Sequence, residues 1–173
     1  NLSNNEISEI VNISHLRNLK KLKLFNNRID KIKNLKELGN LEELNLSQNQ
    51  ISVIENLENL VSLKELYLSR NLISIIEGLD TLISLKILSL SFNQIQKIDG
   101  LNLLSQLEYL DLEFNLILTL ENLECLSNLS IISIGKNPLI IISPSFIKNT
   151  VPKINWNKGM LDLMYMPPKL ADA

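Results

Sequence analysis

The chain has 173 residues, 45% of them hydrophobic and 21% charged, which excludes a disordered polymer and suits a sizeable core. Its 17 Lys and Arg against 19 Asp and Glu leave a formal charge of -2, without the basic excess of a dedicated nucleic-acid binder. One Cys and one His exclude an intramolecular disulfide and a zinc site built on those residues. With no uninterrupted apolar run of about 18 residues and no charged-then-apolar leader, neither a spanning helix nor a signal peptide is expected.

From the first residues onward the chain repeats. Asn5, Asn27, Asn49, Asn71, Asn93, Asn115 and Asn137 follow one another at intervals of 22 residues. Around each asparagine the frame is L-x-x-L-x-L-x-x-N-x-I-x-x-I-x-x-L-x-x-L. Leu41, Leu44, Leu46, Asn49, Ile51, Ile54, Leu57 and Leu60 show it in full, and Leu63 to Leu82 repeat it without a slip. Such a frame marks leucine-rich repeats, whose period lies between about 20 and 29 residues. L-x-L puts two side chains on one face of a strand, because strand side chains alternate. Asn follows where the chain turns, and its amide can satisfy backbone groups that the turn would otherwise bury unpaired. The I-x-x-I-x-x-L-x-x-L stretch keeps one side inward through the outer part of the coil. No single coil buries its apolar side alone, so neighbours must stack. The expected fold class is α/β: a right-handed leucine-rich repeat solenoid with a parallel sheet on the concave face and short helices or turns on the convex face.

The ends depart from the frame. Asn1 enters in mid-strand, so the first repeat is incomplete and further residues are expected upstream in the natural protein. Residues 1–139 are assigned to the repeats and 140–173 to a C-terminal cap and tail. After Ile142 the inward positions read Ser145 and Lys148, while Val151, Ile154 and Trp156 resume the strand spacing with Pro152 suited to an edge. Met160 to Met166, short and apolar, is expected to pack over the cap, with exposure for a partner as the alternative.

Inward positions are occupied by the core, so function is expected at the variable positions of the strands. Phe25, Tyr67, Phe92, Tyr109 and Phe114 all fall there. The Leu and Ile core does not need those rings, and outward aromatics on a rigid scaffold are common binding anchors. Tyr67, Ile87, Phe92, Tyr109 and Phe114 are expected to form one patch, with Glu108, Asp111 and Glu113 as an acidic margin. Lys20, Lys21, Lys23 and Arg28 are expected to make the N-terminal end basic. The alternative is that the rings shield strand edges or contact one another.

His15 and Cys125 lie on outer segments with no partner placed beside them by the frame, so neither is read as catalytic. Asp111 and Glu113 flank the inward Leu112, an arrangement that adjacent strand positions produce routinely, and no metal or acid–base role is assigned to them. No phosphate-binding glycine loop is present. No catalytic residue, metal or cofactor is expected, and the chain is read as a non-enzyme.

The frame resembles the leucine-rich repeat subclass typified by the nuclear regulatory subunit of protein phosphatase 1. The resemblance is carried by Ile54-Glu55-Asn56-Leu57, Ile76-Glu77-Gly78-Leu79 and Ile98-Asp99-Gly100-Leu101, and by the stretch from Leu63 to Asn71. Gly135 to Leu139 and Val151 to Ile154 are similar to that family's C-terminal cap. It implies a non-catalytic scaffold that binds a globular protein on its concave face, where Tyr67, Tyr109, Asp111 and Glu113 have the aromatic and acidic character of the family's positions. Phe25, Ile87, Phe92 and Phe114 join the expected partner-binding set by their outward placement. The phosphatase catalytic subunit is one implied partner. The same repeats are similar to axonemal dynein light chain and cilium-associated proteins, which makes a dynein heavy chain the second. A repeat segment of a larger enzyme is a third reading. Nucleic-acid and membrane partners are not expected, and a monomer with an intracellular address is.

Overall fold

A computed structural model describes residues 1–139, together with the strand backbones of residues 141–142 and 155–156. Each complete repeat contributes one short strand: β1 (Lys21–Lys23), β2 (Glu43–Asn45), β3 (Glu65–Tyr67), β4 (Ile87–Ser89), β5 (Tyr109–Asp111) and β7 (Ile131–Ser133). With β9 (Asn155–Trp156) they form one parallel sheet in the order β1-β2-β3-β4-β5-β7-β9. β6 (Thr119–Leu120) and β8 (Ile141–Ile142) pair in a separate two-stranded parallel sheet. Ile132 pairs with Trp156, 24 residues on, whereas the expected spacing put Trp156 opposite Ile134, so the register at the last strand is shifted by two residues from the repeat. The inward assignments at Ser145, Lys148, Val151 and Ile154, the edge role of Pro152 and the packing of Met160 to Met166 lie outside the described residues.

The register reproduces the repeat. Leu44 pairs with Leu66, Leu66 with Leu88 and Leu88 with Leu110, each one repeat further along. Leu41, Leu44, Leu46, Ile51, Ile54, Leu57 and Leu60 are at most 1% exposed, so a single coil sends seven aliphatic side chains into one continuous core. Van der Waals contact and loss of apolar surface to water hold the stack together.

Of the helices or turns expected on the convex side, the described residues form turns. Leu60 N donates to Leu57 O and Leu63 N to Leu60 O, both at 2.9 Å, and other repeats do the same. An apolar residue at every third position suits successive tight turns, because each turn returns its apolar side chain to the inside; an α-helix would need a period of 3.6.

The asparagines join neighbouring coils. Asn93 Nδ2 donates to Leu90 O of its own coil and to Leu68 O of the preceding one, both at 3.0 Å, while its Oδ1 accepts from Ile73 N. Asn71 and Asn115 make the same three kinds of bond and are buried with it. A second set of positions, Asn34, Asn56, Gly78, Gly100 and Asn122, sits in the left-handed region, with φ between 58° and 68°. There the asparagine amides donate to carbonyls of the preceding coil, as Asn56 does to Ile32 O at 2.7 Å. At Gly78 a Cβ would lie 2.6 Å from Ile54 O, so glycine admits the carbonyl itself.

Candidate functional site

On the concave side, alternation turns three residues per repeat away from the core, and the parallel register lines them up in rows. The first row reads Lys21, Glu43, Glu65, Ile87, Tyr109, Ile131, and the second Lys23, Asn45, Tyr67, Ser89, Asp111, Ser133. Two residues beyond the second row come Phe25, Ser47, Ser69, Ser91, Glu113 and Gly135. The next residue of each repeat, from Asn26 to Lys136, enters the turn with φ between 53° and 59°.

The expected site residues fall into separate groups on this lattice. Ile87 and Tyr109 are adjacent in the first row and half-buried, and Ile131 extends them with 39% exposure. Tyr67 stands in the second row, where its hydroxyl donates to Glu65 Oε2 at 2.8 Å. Burial, reinforced by that bond, pushes the Tyr67 phenol up to about 12. Phe92 and Phe114 occupy the left-handed turn, not the strand face. Their rings stack at 4.1 Å between centroids, and the Arg70 guanidinium lies 4.0 Å over Phe92. This Arg70–Phe92–Phe114 ladder is separated from Ile87 and Tyr109 by the polar rows through Ser89 and Ser91. The rings of Phe92 and Phe114 therefore do contact one another, though Phe114 remains 40% exposed. Phe25 is half-buried two repeats before Tyr67.

Between the apolar groups runs a chain of hydroxyls. Ser91 Oγ donates to Ser69 Oγ at 3.0 Å, Ser69 and Ser89 share a bond of 2.6 Å, and Ser89 Oγ donates to Asp111 Oδ2 at 3.0 Å. Asp111 Oδ1 accepts from Glu113 N at 3.1 Å. Glu113 lies beside Gly135, where a Cβ would sit 3.4 Å from its Oε1. Burial, with Asp111 as a second cause, raises the Glu113 carboxyl above the usual carboxylate range, and Lys136 opposes this.

The basic N-terminal margin is not what the structure holds. Lys20 pairs with Glu42 at 2.7 Å, Lys21 and Lys23 clamp Glu43 at 2.8 and 2.9 Å, and Arg28 meets Glu6 at 2.9 Å. Lys64 reaches Glu42 from the other side at 2.7 Å, and the two lysines hold its carboxyl down to about 2. Glu108, expected in the acidic margin, is paired with Lys86 at 2.7 Å. Residues 22 apart become neighbours across the sheet, so the lysines and glutamates neutralise one another. The identity of residues 20, 42 and 64 already carried that signal, and Arg70 carried its own one repeat before Phe92.

His15 and Cys125 are exposed; His15 opens on a shallow groove with Glu37, whose carboxylate is 3.2 Å from Arg17. Among the described residues no group of three or more His, Cys, Asp or Glu is placed to hold a metal ion. Among them, too, no helix is long and apolar enough to cross a membrane.

The family described as Leucine Rich repeats (2 copies) matches residues 39–81 and 83–125. A leucine-rich repeat protein of Leptospira interrogans is similar at 31% identity and a TM-score of 0.76, over 91% of this chain and 42% of its own. Internalin C2 of Listeria monocytogenes is similar at 26% identity and a TM-score of 0.73, over 89% of this chain and 78% of its own. The solved TLR13–ssRNA13 complex offers a chain 30% identical with a TM-score of 0.72, over 79% of this chain and 21% of its own. The chain thus spans less than half of the Leptospira protein it matches. No curated protein matches the sequence. None of the three structures named is a phosphatase subunit.

Proposed function

Because this chain is a leucine-rich repeat protein, we propose that it is a non-catalytic scaffold holding a globular protein partner on its concave face. The reading rests on one observation above all. Inward positions of the described residues are committed to the core, whereas Ile87 and Tyr109 in the first row, Tyr67 and Asp111 in the second, and Glu113 two residues beyond it stand on the concave face. Phe114 borders that face on the turn, and Phe25 and Phe92 complete the candidate set. Leucine-rich repeats generally mediate protein–protein interaction, and their solenoid is typically non-catalytic, which supports the same reading. Single-stranded RNA, the ligand named for the TLR13 complex, is not carried over, because Asp111 and Glu113 would face its phosphates.

The resemblance carried by Ile54 to Leu57 and its equivalents favours regulation of protein phosphatase 1 as the finer form, with a ciliary, dynein-bound role beside it. The test captures purified phosphatase catalytic subunit and dynein heavy-chain motor domain on immobilised chain. Wild type is compared with the Tyr109→Ala, Phe114→Ala double variant. Capture of either partner by the wild type, lost in the variant at an unchanged melting temperature, supports the reading. Equal capture by both chains places the interaction elsewhere, and unfolding of the variant gives the rings a structural task instead.

A further inference from the structure

We infer that the C-terminal half of the concave face takes a basic, aliphatic segment of a partner protein. Its apolar side chains would lie on the row Ile87–Tyr109–Ile131, and a guanidinium or ammonium group would lie against Asp111 and Glu113. This inference rests on the concave-face reading above and adds the chemistry of what binds there.

The apolar part of the surface is continuous. Ile87, Tyr109 and Ile131 pair in register across β4, β5 and β7, so three apolar side chains stand side by side on the outer face. The same row in β1 to β3 is Lys21, Glu43 and Glu65, so the apolar character begins only at the fourth repeat. Three neighbouring large side chains on a solvated sheet face make a platform, unlike scattered exposed aliphatics.

Charge selects the occupant. In the N-terminal half Glu42 lies between Lys20 and Lys64, and Lys21 and Lys23 clamp Glu43, while Glu65 accepts from the Tyr67 hydroxyl. Glu108 has Lys86. Asp111 and Glu113 are two neighbouring carboxylates without an ion pair among the described residues. Asp111 is held by neutral donors, the Ser89 hydroxyl and the Glu113 backbone N–H. Glu113 has no ion pair among the described residues, and the missing side chain of Gly135 keeps the space next to its carboxylate open. Lys136 attracts it without forming a pair. Burial and Asp111 both oppose ionisation of Glu113, a cost that an incoming cation would relieve. The hydroxyl chain from Ser91 to Asp111 fixes one carboxylate in advance, which favours binding by reducing what must be ordered.

Phage-displayed random dodecapeptides selected on the immobilised full chain test this. Enriched peptides carrying Arg or Lys beside aliphatic residues are expected, and the synthesised winners should bind more weakly as salt rises. Their affinity should fall about tenfold or more in Glu113→Gln and in Asp111→Asn, and should fall also in Ile131→Ser. Glu113→Gln carries the test alone if Asp111→Asn lowers the melting temperature. Acidic or uncharged winners displaced by Ile131→Ser would overturn the basic occupant while leaving the concave reading intact. Winners indifferent to all three substitutions would bring down the concave reading itself. Absence of any enrichment over a blank surface would overturn the proposed occupant.

Discussion

Replacing Asn93 with alanine strikes the joint between the third and fourth repeats, and the hydrogen bonds give the size of the damage. Asn93 Nδ2 serves Leu68 O and Leu90 O at 3.0 Å and Ser91 O at 3.3 Å, while Oδ1 accepts from Ile73 N at 3.0 Å. After substitution Leu68 O keeps the amide of Asn71, and Leu90 O keeps that of Asn115. Ile73 N–H loses its acceptor in a buried place. One orphaned donor costs about 1–3 kcal/mol and the bonds lost by each of the amide's two N–H groups about 0.5–1.5 kcal/mol, so the loss should be about 2–6 kcal/mol. Asn5→Ala is the internal control. Asn5 is exposed and donates only to Leu2 O and Ser3 O of its own coil, which water can replace, so its loss should stay within about 0.5 kcal/mol. Urea titrations followed by circular dichroism compare the two variants, and hydrogen exchange at the Ile73 amide locates the effect. Equal losses in the two variants, or an Ile73 amide still protected in Asn93→Ala, would refute the ladder as the joint between coils.

Two further outcomes follow from local geometry. Glu42 has its carboxyl lowered to about 2 by hydrogen bonds and charge from Lys20 and Lys64, against an ordinary 4.5. A lowered folded value gives stability that is present above about pH 4.5 and lost as pH falls towards 2, so denaturant midpoints should drop across that window and Glu42→Gln should flatten the drop. Gly78→Ala would force a Cβ into the left-handed region at φ 68° and to 2.6 Å from Ile54 O, costing about 2–4 kcal/mol in thermal or chemical unfolding. Gly39→Ala, whose Cβ would meet its nearest neighbour, Asn59 O, at an ordinary 3.5 Å, should be close to neutral.

Much of the fold was legible because one period governs it. The 22-residue interval between asparagines placed the core at Leu44 and Leu66 and announced a parallel sheet, since identical coils can only stack in register. What stayed hidden depended on three-dimensional neighbours or backbone state. Phe92 and Phe114 read as strand-face aromatics, yet they occupy the left-handed turn, a conformation that Asn26 and Gln48 share with them and that side-chain identity does not announce. The expected single patch therefore resolves into the Ile87–Tyr109–Ile131 row and the Arg70–Phe92–Phe114 ladder. Lys20 and Lys23 read as a basic rim because their partners, Glu42 and Glu43, are distant in sequence and adjacent only after stacking. Gly78 and Asn56 look unlike each other but answer the same demand: one gives room to a carbonyl of the preceding coil, the other donates to it.

A photoreactive benzoyl-phenylalanine placed at Tyr109, and separately at Ile75 on the exposed convex side, tests the concave docking face most directly. Irradiated in a cell extract containing the phosphatase catalytic subunit and dynein heavy chain, the chain labelled at position 109 should form a covalent adduct with one partner protein, and the chain labelled at 75 should not. An adduct from position 75 with none from 109 would contradict the account.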